Sequence, residues 1–562
     1  MKEVPILVVG AGLSGLMMAA QLLRFGVQPM IIDKSLGPDG DQGYIFLSSK
    51  SMELLDQMGI LKDLLPQGRR YSQLDFENGR QLVDLEKELE TVTRFPFILN
   101  LPKVHLKRAL MGYLTSNACK IRWGLELRAA VEDEQGAWVT LQRTDPVSDS
   151  GTGEGAARTE GSAAEDLPKG EEWRVEWLIG ADGSESLVRK SLGIGVERKD
   201  FSEYLLRAEL LLERDGQLTD LPQEVAAEVP VRLFRQEGRW VNLLPLSGSG
   251  RYLLMCSIPN KAYQHPSARS LQTFLQNIIG PLPPGQQLTP IPKTIRVEKL
   301  GTFRTPRNSG RCCFLIGEAA SGLQGVTRHG NANGMLDAWN LGWKLAGVVQ
   351  GQMDKRVLLS FHQERHQANN LEALSLFGEV MSMRHRLPGI IQKLDHLLIH
   401  RTFANAVSRK STLLQLSALT QNYRHSTPSL HYSSSVRIKA GDRFPFLPIY
   451  NEKDNMWTDT HQAFRKNMLV LVILGRLSQQ SLHILGQWIK QKYPHGLGLY
   501  YLPYSKRNHA AFEAFEMTES MSQGVLVRPD MHIAYMSNSL NIALFDNYLE
   551  KMLGWKLTRQ FD

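Results

Sequence analysis

Apolar residues open the chain as a short run, Ile6 to Val9, that stops at Gly10. From Leu13 to Leu23 they recur at helical spacing, and a second run from Gln28 to Ile32 stops at Asp33. Strand, amphipathic helix and strand in this order predict a parallel pair joined by a crossover helix. Alternating stretches follow at Arg122–Val139 and Trp173–Ile179. Between them, residues 145–173 are rich in Gly, Ala, Ser and acids, and cannot bury enough surface to offset their ordering entropy. A flexible hairpin tip is expected there. From Tyr204 to Pro259 the pattern is strand-like, notably at Trp240–Leu244 and Tyr252–Ile258, which suits a sheet forming a second lobe. Leu336–Val349 reads as a helix, and helical patterning continues to about Leu419. A polar tract, Gln421 to Ser435, leads to Gly441-Asp442-Arg443-Phe444-Pro445, read as the entry to a last domain. There, strands at Met468–Leu474 and Leu497–Leu502 flank a helix at Ser478–Tyr493, and Arg528-Pro529-Asp530 signals a hairpin. No internal repeat or heptad pattern appears.

The 562 residues give room for several domains. No uninterrupted apolar stretch approaches membrane-spanning length, and Met1 to Gly15 runs straight into a strand and a turn. A soluble cytoplasmic protein without a signal peptide is expected. The four cysteines, Cys119, Cys256, Cys312 and Cys313, make neither a disulfide scaffold nor a CxxC motif. Net charge is +8, yet Asp145–Glu172 holds eight acids and two bases, so the rest carries +14. Its Lys and Arg residues are scattered and form no stripe, so nucleic acid is not indicated; nucleotide-sized anions suit the charge equally well.

Gly10-Ala11-Gly12-Leu13-Ser14-Gly15 is a G-x-G-x-x-G turn between strand and helix. Gly10 permits the tight turn, Gly12 lets backbone approach a pyrophosphate, and Gly15 allows close helix–strand packing. The phosphates would then meet free N–H groups and the positive end of a helix dipole. Asp33, at the end of the second strand, is placed to accept from a ribose hydroxyl, which favours FAD or NAD over NADP in this site. Two later segments repeat the strand–small turn–helix pattern. One runs from Trp177 through Gly180-Ala181-Asp182-Gly183; the other runs from Arg311 through Gly317-Glu318-Ala319-Ala320 to a helix opening near Ala332.

With these three segments in this order and spacing, residues 1 to about 400 resemble the class A flavoprotein monooxygenases, the aromatic hydroxylases related to p-hydroxybenzoate and phenol hydroxylase. Gly10, Gly12, Gly15 and Asp33 match the first motif. Asp182-Gly183 with Ser186, Val188, Arg189, Leu192 and Gly193 match the second. Asp337-Ala338, Asn340-Leu341 and Trp343-Lys344-Leu345 match the last. The tail, with Gly441-Asp442-Arg443 and Val525–Tyr535, resembles the thioredoxin-like C-terminal domain of the phenol hydroxylase branch, without its redox CxxC. The implied fold is α/β: a Rossmann-like FAD-binding domain (1–75, 101–195 and 295–400) interleaved with a mainly β substrate domain (76–100 and 196–294). A linker (401–440) and a thioredoxin-like α/β domain (441–562) follow.

The resemblance implies FAD bound by Gly10, Gly12, Leu13, Ser14, Gly15, Asp33, Lys34, Lys103, Asp182, Gly317, Glu318, Gly330, Asn331 and Ala332, with no metal. It implies NAD(P)H as reductant, O2 as co-substrate, and hydroxylation of an aromatic or polyketide-like small molecule through a flavin C(4a)-hydroperoxide. Epoxidation or Baeyer–Villiger insertion, or a flavin-binding scaffold without turnover, are the alternatives. The protein would act as a monomer or homodimer. His329, just before Gly330, is the candidate catalytic residue, as a flavin hydrogen-bond partner or a base on a phenol. The chain departs from the family pattern at Glu318 (usually Asp), Ser321 (often His), Gly43 (often Arg, with Lys50 at the next basic position) and Lys103 (often Gln). The usual loop Pro is also missing around Gln324-Gly325. Trp339 and Trp343, four apart on the late helix, are read as core.

Overall fold

The computed structural model describes residues 2–38, 43–76, 81–144, 170–214, 217–218, 231–236, 239–247, 250–258, 268–279, 285–324, 332–372 and 405–555. Residues 145–169, most of the expected hairpin tip, lie outside them, as do Gly325 and residues 328–331. The expected α/β fold is what the chain adopts. Strand β1 (Lys2–Val9), helix α1 (Leu13–Arg24) and strand β2 (Met30–Asp33) form the parallel unit read from the opening pattern. Ile6, Leu7, Val8, Ile31 and Ile32 are fully buried, as strands covered on both faces require.

The first sheet runs in the order Ile121–Trp123, β2, β1, Glu171–Gly180, Ala137–Arg143, Leu125–Glu132. Strand Glu171–Gly180 forks. Its first half pairs antiparallel with Ala137–Leu141, while Leu178–Gly180 pairs parallel with Cys313–Leu315. That fork brings the segment after Gly180 and the segment after Leu315 to the same edge as the β1–α1 turn. Helix α1 packs against the helices Lys103–Ser116 and Asn333–Val349.

The second sheet is built on one long strand, Glu197–Arg214, bulged between Asp200 and Tyr204. Glu197–Arg207 pairs with Arg296–Arg304, and Leu210–Arg214 pairs with Gln286–Pro290. Its period-2 pattern sends alternate residues to two buried faces. Leu205, Leu244 and Leu253 pack with Tyr44, Tyr71 and Ile98, while Leu206, Leu243 and Leu254 pack with Leu271 of the helix Ala268–Ile279. Ser321–Gln324, which the sequence reads as glycine-bearing loop, is an edge strand on Arg296–Arg304. A four-residue strand flanked by glycine leaves too little periodicity to read.

The C-terminal sheet has the order Leu430–Tyr432, Ile533–Ser537, Ser522–Val527, Leu469–Gly475, Leu497–Leu502. The stretch read as linker thus supplies an edge strand, and it also supplies the helix Ala406–Leu416. The inner strand Leu469–Gly475 is buried throughout, which explains why its apolar run is unbroken.

This C-terminal unit meets the first through buried charges. Arg443 pairs with Glu53, which also accepts from Thr93 Oγ1 (2.8 Å). His461 donates from Nε2 to the Phe444 carbonyl (3.0 Å). His532 donates from Nδ1 to the Asp530 carbonyl (3.0 Å), and its Nε2 faces Lys50 Nζ at 3.1 Å. An ammonium can donate to that nitrogen only if the imidazole is neutral. Lys50 is therefore engaged with the C-terminal unit.

Burial, and then the charges of Arg443 and Lys50 respectively, push His461 and His532 down to about 4. Their folded-state values lie below the ordinary histidine value of about 6.5. The unfolded chain therefore takes up these protons first, and stability is lost as pH falls from about 6.5 towards 4. We expect the thermal midpoint to drop through this window, and His532→Asn to flatten the dependence. A midpoint that holds level between pH 6.5 and 4 would show both imidazoles exposed to solvent.

Candidate functional site

The glycine turn is shaped by three different constraints. Gly10 has φ +103°, a left-handed value, and a Cβ there would strike the Ala181 carbonyl. A Cβ on Gly15 would overlap the Gly10 carbonyl oxygen, so this glycine lets the helix sit against the turn. Gly12 differs from both: no atom lies within 4 Å of where its Cβ would be. It caps α1 without any side-chain hydrogen bond, and no acid lies in the first turn. The helix thus presents uncapped N–H groups and its positive end to open space.

That space is a cleft of about 320 Å3 lined by Gly10, Gly12, Asp33, Lys34, Asp182 and Gly183, among others. Asp33 Oδ2 accepts from Ala11 N (2.6 Å) and Oδ1 from Ser35 N (2.8 Å), which locks the carboxylate to the turn. A carboxylate has about four acceptor sites, so capacity for a hydroxyl donor remains. Lys34 is exposed at the rim.

Across the cleft, Asp182 Oδ2 accepts from Leu187 N (2.7 Å) and Val188 N (3.1 Å). Its Oδ1 is shielded from solvent, and the Ser186 hydroxyl adds to the hydrogen bonds on the carboxylate. Burial raises the carboxyl above its usual range, with the hydrogen bonds opposing.

The later motifs come to the same place. Gly317 has φ +59°, and Ser14 is wedged between Gly317 and Gly334, where a Cβ on either glycine would overlap its Oγ. Ser14 therefore offers a ligand its backbone, since its side chain packs the turn against the late helix. Gly317 N donates to Asp337 Oδ2 (2.9 Å), whose other oxygen accepts from Arg365 Nε (2.8 Å). Glu318 follows in the same turn, partly exposed. Arg189 braces the turn from the other side, donating to the carbonyls of Ala319 (3.1 Å) and Ser184 (2.7 Å). Ala332 is the N-cap of the helix Asn333–Val349. Lys103 is buried at the start of its helix, its N–H on the Gly43 carbonyl (2.8 Å), and does not line the cleft. His329, Gly330 and Asn331 lie outside the described residues.

The rest of the late motif points away from the cleft. Lys344 Nζ binds Asn340 Oδ1 (2.9 Å) and Glu364 Oε2 (2.8 Å), and Arg528 reaches Glu364 from the C-terminal unit with both Nη atoms (2.7 and 2.8 Å). Asp530 accepts from Arg528 Nε (2.9 Å) and from Trp343 Nε1 (3.4 Å). Two cations and two anions close this fully buried cluster. Burial lowers Lys344 to about 8; although burial opposes it, Arg528 and Lys344 hold Glu364 well below the usual carboxylate range. Trp339 is buried as expected, while Trp343 is buried with its ring beside Arg528 and Lys344. Arg365, Glu364 and the cleft-lining Leu125, Glu126 and Glu185 carry no signal in the sequence, since they belong to no motif and only folding brings them here.

Glycine turn, bare helix start and acids at or just past the ends of the two parallel strands that flank β1 fit a dinucleotide cofactor, and together with the fold they define a nucleotide-binding flavoprotein. The chain belongs to the FAD binding domain family, whose model matches residues 3–372. It is 28% identical over 371 residues to 6-methylpretetramide 4-monooxygenase of Streptomyces rimosus, a match that covers 64% of this chain and 58% of that protein. It is 25% identical over 454 residues to pentachlorophenol 4-monooxygenase of Sphingobium chlorophenolicum, covering 79% of this chain and 76% of that one. Among solved structures it superposes on aklavinone-11 hydroxylase, in a ternary complex with FAD and aklavinone, with TM-score 0.73. That alignment has 18% identity and covers 99% of each chain. No helix among the described residues is long and apolar enough to cross a membrane.

Proposed function

We propose that the chain is an FAD-dependent monooxygenase that uses NAD(P)H and O2 to hydroxylate an aromatic or polyketide-like small molecule. The observation that carries this reading is the convergence of open Gly12, uncapped α1, Asp33 and Asp182 on one cleft. The family and the monooxygenase relatives support it. FAD supplies the redox chemistry, taking electrons from NAD(P)H and passing them to O2.

The chain binds and orients. Gly12, Leu13 and Ser14 offer backbone N–H groups to the pyrophosphate, and Gly10 and Gly15 set the turn. Asp33 accepts from the ribose, with Lys34 at the rim. Asp182 accepts from the cofactor across the cleft. Gly317 and Glu318 would hold the ribityl chain, and the family resemblance assigns Gly330, Asn331 and Ala332 to the flavin pyrimidine edge. Lys103 acts through its buried position beside Gly43, and His329 is the candidate group for holding or moving a substrate proton. We place the substrate between the flavin and the ten-stranded sheet, on the face where Leu205, Leu244 and Leu253 pack with Tyr44 and Tyr71.

We further assign 441–562 a structural role as a thioredoxin-like unit. Its β-α-β unit (Leu469–Leu502), following helix (His509–Ala514), hairpin and last helix (Ile542–Lys551) support that reading, and the segment has no cysteine for thiol chemistry.

The purified full chain is expected to be yellow, and NADPH or NADH oxidation should rise with an aromatic substrate in a screen. Product mass should increase by one oxygen. A colourless chain that takes up no FAD sinks the reading, and an oxygenated product with an expanded ring converts it to Baeyer–Villiger insertion. Glu318→Ala should weaken FAD retention; unchanged affinity would remove Glu318 from the ribityl contact.

A further inference from the structure

Cys312 and Cys313 play no part in the cleft, yet they are not isolated thiols. Both are buried, and their Sγ atoms lie 3.8 Å apart. Strand Leu125–Glu132 ends beside them, so that one carboxylate oxygen of Glu132 and the two sulfurs all lie within 4.8 Å of one another. Two thiolates on a tetrahedral zinc, at about 2.3 Å each, stand about 3.8 Å from one another. The sulfurs are therefore already at a coordination edge.

The carboxylate is also held in place. Glu132 Oε1 accepts from the N–H groups of Cys312 (2.6 Å) and Cys313 (3.0 Å), the kind of support that fixes a metal ligand's orientation. Its neighbours Asp133 and Glu134 pair with Arg174 and Arg311, but among the described residues no basic side chain pairs with Glu132. The site thus has two soft donors and one oriented hard donor whose carboxylate pairs with no basic side chain among the described residues.

We propose that Glu132, Cys312 and Cys313 form a binding site for a thiophilic divalent cation of the zinc and cadmium class, closed by one water. Two metal–sulfur bonds and one metal–carboxylate bond replace waters of the hydrated cation, which keeps one water, and the two thiol protons leave to solvent. Thiolate sulfur selects such ions over magnesium or calcium. Bound there, the cation ties the Leu125–Glu132 strand end to Cys313–Leu315, which runs directly into the Gly317 turn.

The probe is Cd2+, added to the reduced full chain with FAD retained and followed by desalting. One Cd2+ per chain should remain, with an ultraviolet sulfur-to-cadmium charge-transfer band and a raised thermal midpoint. The Cys312→Ser/Cys313→Ser double variant should lose the metal and the band. Glu132→Gln should bind roughly 10–100-fold more weakly. Full retention of Cd2+ by the double variant overturns the assignment, as does a wild-type chain that keeps none. If the double variant fails to fold, X-ray absorption on the wild type decides: two sulfur scatterers sustain the site, and a shell of oxygen and nitrogen alone ends it.

Discussion

Gly12→Ala should fold as the wild type does and retain FAD roughly 100-fold more weakly. The backbone at Gly12 has φ −68° and ψ 178°, which any residue adopts, and its Cβ would enter open space. Stability should therefore fall by about 1 kcal/mol at most, the scale of an N-cap substitution to alanine. The methyl group instead occupies the approach of the pyrophosphate to the helix start. Losing one or two charge-assisted hydrogen bonds costs about 3 kcal/mol, and each 1.4 kcal/mol is about tenfold in affinity. Gly15→Ala is the contrasting variant. Its Cβ meets the Gly10 carbonyl, so it should lower thermal stability and FAD retention together. Equilibrium dialysis with FAD beside a thermal melt separates the two. If Gly12→Ala keeps wild-type affinity, the phosphates do not rest on this turn.

Arg528→Ala should destabilise the folded chain by about 3–5 kcal/mol, because it strands buried carboxylates without their partner. Arg528 makes both bonds to Glu364 and spans to Asp530, and none of the three side chains is more than 2% exposed. Lys344 alone then faces two anions. Arg528→Lys keeps the charge but cannot reproduce the two-pronged geometry, so an intermediate loss is expected. Urea unfolding of the three proteins measures both. A loss under 1 kcal/mol for the alanine variant would mean water already reaches the cluster. Glu364 adjoins Arg365, which holds Asp337 and through it the Gly317 N–H, so the cluster secures the helix that carries the late motif.

The parts of the site that were legible in the sequence are those encoded within one strand–turn–helix. Gly10, Gly12 and Gly15 each meet the constraint their spacing implied, because a turn of six residues leaves few backbone solutions. Asp33 and Asp182 end strands whose apolar runs are plain, so their position at the sheet edge follows. Lys50 shows the limit. The sequence marks it only as the next basic position after Gly43, yet its ammonium meets His532, 482 residues further on. The late motif divides in the same way: Asp337 serves the Gly317 turn, but Asn340, Trp343 and Lys344 serve a charge cluster completed from the C-terminal sheet.

The sequence by itself determined the α/β order of elements, the dinucleotide turn and the identity of the acids facing it, because hydrophobic period and glycine spacing act over a few residues. Only the tertiary structure decided which charges are neutralised by which, that burial raises the Asp182 carboxyl, and that two adjacent thiols meet Glu132. Those outcomes depend on burial and on partners far apart along the chain, and neither quantity exists until the sheets have packed.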